Sequence, residues 1–197
     1  QQYFNADGTW IDPKTPGVWK QLPGVIWADT YYTEWQYTKA NGKDQIVDWN
    51  GKKYIVDKDG YMYYNCQVTI GADTYVCNWD GSVATGWGKV YNWNGKTWDM
   101  MWTLSDNNGK QIFGLATVGA SKYYMDSSVT LTMTVAADYP DTVGKQLPKM
   151  GMDNKWADGN YTVTGGMVTN KVVDLGWDGT GNRSLFVFGA DGAAVMN

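Results

Sequence analysis

The stretch DTYVCNWDGSVATGW, residues 73–87, governs the reading of the whole chain. It sets Tyr75-Val76-Cys77 before Asp80-Gly81 and places Val83 two positions past the glycine. The same order stands 21 residues upstream, where Tyr54-Ile55-Val56 precede Asp59-Gly60 and Met62 follows. Tyr3-Phe4, Asp7-Gly8 and Trp10 repeat it near one end, and Phe186-Val187-Phe188, Asp191-Gly192 and Ala194 near the other. D-G between short apolar runs is a hairpin signal, because glycine takes the positive φ that a tight turn needs. A period near 20 residues marks units that bury their faces only by stacking on one another.

Composition agrees with strands. The 197 residues include 12 Trp, 14 Tyr and 24 Gly, a single Glu, a single Arg and no His. Helix formers are scarce, while Thr, Val, Tyr and Trp suit pleated surfaces joined by Gly and Asp turns. The net charge of −4 leaves no basic stripe for nucleic acid and argues against a strongly anionic polymer as ligand. No run approaches the roughly 18–20 apolar residues of a membrane span. Aromatics in this number either pack a thin-layered core or lie exposed, where their faces stack on sugars or hold cations.

Cys66 and Cys77 flank QVTIGADTYV, which centres on Gly71-Ala72. A two-residue hairpin there sets the cysteines opposite each other. A cross-strand disulfide, which suits an extracellular protein, and two buried thiols both satisfy that arrangement. Two cysteines without histidine make a poor zinc site.

Elsewhere the pattern changes. Residues 12–24 hold three of the five prolines and read as loop or edge; VIWADTYYTEWQYT (25–38) reads as one or two strands. NGK at 41–43, 50–52 and 94–96 marks turns. From 97 onward, TWDMMWTL and QIFGLATV flank a polar SDNNGK turn. In SSVTLTMTVAAD (127–138), Val129, Leu131, Met133 and Val135 face one way and Thr130, Thr132 and Thr134 the other, the alternation of a half-buried antiparallel strand. Residues 139–160 form a long polar connection, and 97–183 as a whole read as a β-sandwich or curled sheet.

Catalysis finds little support. Without histidine there is no Ser-His-Asp or Cys-His arrangement. Glycoside hydrolysis needs a carboxylate pair, yet most of the Asp residues sit beside Gly or Asn, where turn chemistry explains them. Glu34, among aromatics in YYTEW, reads more simply as an edge-strand carboxylate than as an acid catalyst. The Asp/Asn/Gly loops at 106–109, 152–160 and 177–182 carry hard oxygen donors but match no calcium loop, and read as ordinary turns.

The repeats resemble the cell-wall-binding or choline-binding repeat family of Gram-positive surface proteins, lysins and toxins. TYVCNWDGSVATGWGKV (74–90) is the best unit, YFNADGTW (3–10) and LFVFGADGAAVMN (185–197) are partial ones, and KKYIVDKDGYMYYN (52–65) is divergent. The resemblance implies a stack of hairpins with ligand sites between neighbours, built from aromatics of both. By position it carries over Tyr54, Tyr75 and Phe186 on strands, Trp87 of T-G-W, and Met62 and Val83 as apolar partners. Where the family carries Trp seven residues before the turn glycine, this chain has Gln1, Lys53, Thr74 and Leu185, and Cys66 stands for the T-G-W tryptophan of the 52–66 unit. The matched positions therefore assemble no three-aromatic choline cage.

The expectation is an all-β protein: stacked β-hairpin repeats (1–96) together with a β-sandwich-like antiparallel sheet ending in a repeat-like hairpin (97–197). Its expected role is non-catalytic, without cofactor: an extracellular carbohydrate- or cell-wall-binding module, secreted or on the cell surface. The candidate ligand residues are Trp87, Tyr75, Tyr54, Trp79, Trp93 and Trp98. The expected partner is a polysaccharide or wall glycan, with no nucleic acid and no membrane insertion. A structural or adhesion module with no small ligand is the alternative. Beginning and ending inside repeat-like units suggests a fragment of a larger surface protein with other domains.

Overall fold

The computed structural model describes residues 40–49, 51–78, 80–93, 96–134, 160–177, 179 and 181–195, and the strand segments between 3 and 37 named next. Those are β1 (Tyr3–Phe4), β2 (Trp10–Ile11), β3 (Trp19–Gln21), β4 (Val25–Trp27), β5 (Thr30–Tyr32) and β6 (Trp35–Tyr37). β1 pairs with β2, β3 with β6 and β4 with β5, so residues 25–37 hold three short strands rather than one or two. No helix occurs among the described residues, and none is therefore long and apolar enough to cross a membrane.

The rest is a succession of antiparallel hairpins. β7 (Gln45–Trp49) pairs with β8 (Lys52–Val56), β9 (Cys66–Ile70) with β10 (Asp73–Cys77), and β11 (Gly86–Trp93) with β12 (Trp98–Ser105). β13 (Gly114–Val118) pairs with the 14-residue β14 (Ser121–Thr134), which also pairs with β15 (Asn160–Met167). β16 (Lys171–Trp177) pairs with β17 (Arg183–Phe188).

The D-G turns are not the tips of these hairpins. Each hairpin reverses after its first strand, past Trp49, Ile70, Trp93, Val118 and Trp177; the D-G turn follows the second strand and folds back a short arm. Val56 pairs with Met62, Cys77 with Val83 and Phe188 with Ala194 around it. Its geometry is a β-turn closed by the glycine: Gly60 N donates to Asp57 O (3.0 Å), Gly81 N to Asn78 O (2.9 Å), Gly192 N to Gly189 O (3.1 Å). Asp57 Oδ1 accepts from Asp59 N and Tyr61 N, which favours Asp at the first turn position as glycine is favoured at the fourth. The arm then lies on the preceding hairpin: Val83 N donates to Lys53 O, and Ala194 N to Lys122 O.

This pattern exposes a unit that D-G spacing misses. Ser105 pairs with Gln111 around Asp106-Asn107-Asn108-Gly109, Gly109 N donates to Asp106 O (3.0 Å), and Gln111 N donates to Thr74 O (2.7 Å). The turn reads N-G instead of D-G, yet its bonds are the same.

It also explains the long β14. Met125 pairs with Met167, and Val168 N donates to Tyr124 O as Ala84 N does to Val76 O. Met167 is thus the arm residue of the β13–β14 unit. Its turn is opened, and residues 127–164 are inserted where other units have two residues. The glycines fix the register. A Cβ at Gly81 would strike Met62, at Gly109 Val83, at Gly165 Gln111 and at Gly192 Met167, so each turn glycine rides on the preceding arm. Five units follow in order: 45–62, 66–83, 86–111, 114–167 and 171–194.

The core follows the stack. Ile55, Tyr63, Cys66, Val68, Tyr75, Cys77 and Val83 pack together, with both cysteines fully buried as free thiols opposite each other in the ladder. Burial pushes the Cys66 thiol well up, aided by its contact with Cys77. The insertion adds a second layer: Val129, Leu131 and Val163 of β14–β15 cover Val90 and Met101 of β11–β12, the face-to-face packing of a small sandwich. Thr130 and Thr132 point outward, as the alternation requires. Gln67 and Gln111 clamp the insertion, both donating to Thr164 O (3.0 and 2.8 Å) while Thr164 N donates to Gln67 Oε1.

Candidate functional site at the junction of the third and fourth units

Strand alternation gives β11–β12 two unlike faces. Gly88, Val90, Asn92, Met101 and Thr103 are buried on one. The other carries Trp87, Lys89 and Tyr91 on β11 opposite Leu104, Trp102 and Met100 on β12, and the register continues to Trp93 and Trp98. Trp87, Lys89, Tyr91 and Trp102 are half-buried; Trp98 is 53% exposed and Met100 48%. Met100 and Trp98 thus extend the half-buried rings into an exposed apolar patch.

At the end near the hairpin base, three aromatics meet. The Trp87 ring stands 6.0 Å from Trp102 at 81° and 4.8 Å from Tyr123 of the fourth unit at 82°. The three rings thus join two successive hairpins. Lys89 Nζ lies over the Trp102 ring, 3.8 Å from its centroid, a cation–π contact.

Trp102 stands seven residues before Gly109, where D-G spacing alone finds no tryptophan because Gly109 follows Asn. Once the third unit is recognised, Trp102 joins Trp87 and Tyr123 as a third aromatic at this junction. Tyr123 was legible only through the stack, since nothing local marks it. In the ladder Gln67 stands where Trp87 stands, because Cys66 faces Cys77 as Gly86 faces Ser105, although Cys66 keeps the T-G-W place in spacing, four residues past Met62 as Trp87 is past Val83.

The remaining candidates scatter. Tyr75 is buried in the core of the second unit. Tyr54 is half-buried in the first, edge-to-face with Trp49 at 6.2 Å, and burial raises its phenol. Trp98 lies at the far tip of the aromatic row, paired in register with Trp93. The side chain of Trp93, Trp79 and Glu34 lie outside the described residues. Trp177, 72% exposed on β16, was not singled out by the repeat pattern.

Other junctions differ. The counterparts of Trp87, Trp102 and Tyr123 are Gln67, Thr74 and Thr103 between the second and third units, and Leu115, Lys122 and Phe186 between the fourth and fifth. Lys122 Nζ there lies 5.4 Å from the Phe186 ring centroid. Among the described residues no group of His, Cys, Asp and Glu is arranged to hold a metal ion, and Asp106 spends its Oδ1 on Asn108 N and Lys110 N.

No family model matches the chain, and no curated protein does. Among solved structures it is similar to choline binding protein F from Streptococcus pneumoniae, at 18% identity and a TM-score of 0.47 over 99% of this chain and 44% of that one. It is also similar to the multimodular pneumococcal cell wall endolysin from phage Cp-1 complexed with choline, at 24% identity and a TM-score of 0.38 over 58% of this chain and 30% of that one. A third is an alternansucrase in complex with isomaltononaose, at 17% identity and a TM-score of 0.34, where the chain spans 13% of that length. The chain thus spans less than half of each.

Proposed function

We propose that the chain is a non-catalytic module that holds a cell-wall glycan on the outer face of β11–β12, and that it works outside the cell or on its surface. The observation that carries this reading is the meeting of Trp87, Trp102 and Tyr123 across two units, continued by exposed Met100 and Trp98. The Trp87 ring stands near-perpendicular to Trp102 and to Tyr123, and an aromatic face in water stacks on the apolar face of a sugar. The likeness of the repeats to wall-binding units narrows the polymer to a glycan of that kind. A spacer with no ligand would bury these rings, as the core buries Tyr75.

Titration of solubilised wall polysaccharide and of neutral glucan oligosaccharides, followed by Trp fluorescence, tests the reading. A saturable shift is expected, weakened about tenfold by Trp87→Ala, a loss of about 1.4 kcal/mol. No response to any glycan would favour the spacer.

A further inference from the structure

The charge at this site is distributed in a way that net charge conceals. Lys52, Lys53, Lys110, Lys171 and Arg183 each face a carboxylate: Asp80, Asp48, Asp73, Asp126 and Asp174. Lys89 and Lys122 do not. Among the described residues neither has a carboxylate partner, and each stands on an aromatic ring instead. On the aromatic face, where Trp87, Lys89 and Tyr91 stand opposite Leu104, Trp102 and Met100, Lys89 is the one charged side chain; Asp99 of the facing strand pairs with Asn92, in register with the other face. Lys122 holds the same place in the fourth unit that Trp102 holds in the third, three residues before the residue that pairs with the arm.

An ammonium thus stands over a ring twice: Lys89 over Trp102 across the third hairpin, and Lys122 over Phe186 between the fourth and fifth units. The ring contacts one side of the ammonium and accepts no conventional hydrogen bond, so donors remain for a ligand. The ammonium also occupies the face of Trp102 that a foreign cation would need, and like charges a few ångströms apart repel. We infer that the site selects an anionic sugar polymer, its carboxylate or phosphate groups meeting Lys89 and Lys122 while its sugar rings stack on the aromatics, and that it rejects quaternary ammonium ligands. This rests on the reading of the site as a glycan site; it adds the sign of the ligand's charge.

The test compares four probes by calorimetry on the whole chain: oligogalacturonate, the same oligomer fully methyl-esterified, poly(glycerol phosphate) and choline. Expected is binding of at least one anionic probe about tenfold tighter than the ester, weakening with salt, and no binding of choline. Lys89→Met, checked for unchanged circular dichroism, should reduce the anion's advantage over the ester and admit choline, and Lys89→Met with Lys122→Met should abolish that advantage. Which anion binds distinguishes carboxylate from phosphate recognition. Equal affinity for acid and ester, unchanged in Lys89→Met, would overturn the inference and leave the glycan reading standing. Tight choline binding by the unaltered chain would also overturn it. Silence with all four probes and with neutral glucans would overturn both.

Discussion

Asp80 shows how one side chain serves two units. Burial disfavours its charge, but Ser82 donates to it from both hydroxyl and backbone N–H, and Lys52 of the preceding unit adds an ion pair at 3.0 Å. The balance holds its carboxyl below the usual range. Asp126, bonded by Ser128 N–H, and Asp174, bonded by Arg183, are held low as well. A carboxyl whose folded value is depressed contributes stability above its unfolded value near 4 and loses it as pH falls through the folded value. Urea midpoints should therefore stay level from neutral pH to about 4 and fall below it. Asp80→Asn should lower the plateau and flatten the fall, while an unchanged acid slope would show the turn carboxylate to be idle.

At the scale of elements, the same position changes environment with its place in the stack. Ile55, Val76 and Leu104, each one residue before the arm-paired residue, are at most 3% exposed, because the next unit covers them. Val187, their counterpart in the fifth unit, is 42% exposed, and Val195 is 56% exposed where Ala84 is 1%. Val76→Lys should cost more than about 4 kcal/mol by burying an unpaired charge. Val187→Lys should cost less than about 1 kcal/mol, because its head reaches water. Equal losses in urea unfolding would contradict the stacking order. The 66–77 hairpin was legible in advance because Gly71-Ala72 and the flanking strands are continuous in sequence, and the ladder sets Cys66 against Cys77 as read. The third unit was not, because its turn glycine follows Asn108, and D-G alone cannot reveal that the hydrogen bonds are shared.

At the scale of the molecule, stacking decides what is brought together. Trp87 and Tyr123 are 36 positions apart in sequence, and only the register of one unit on the next puts their rings in contact. The insertion at 127–164 hides that register from periodicity, since it separates Asp126 from Gly165 in what is otherwise a four-residue turn. The same insertion buries the inner face of β11–β12 through Val129, Leu131 and Val163 and leaves the aromatic face outward. All-β character, the repeat and Trp87 of T-G-W were readable from composition and spacing; the contact of Trp87 with Tyr123 was not, because it belongs to a junction rather than to a motif. The central claim is that this junction, and not exposed tryptophan in general, does the binding. Co-sedimentation with insoluble Gram-positive cell walls, comparing the unaltered chain with Trp102→Ala and Trp177→Ala, tests it most directly. The account predicts that Trp102→Ala stays in the supernatant while Trp177→Ala, though it removes the more exposed ring, pellets like the unaltered chain. Loss of binding in Trp177→Ala with Trp102→Ala unaffected would contradict it.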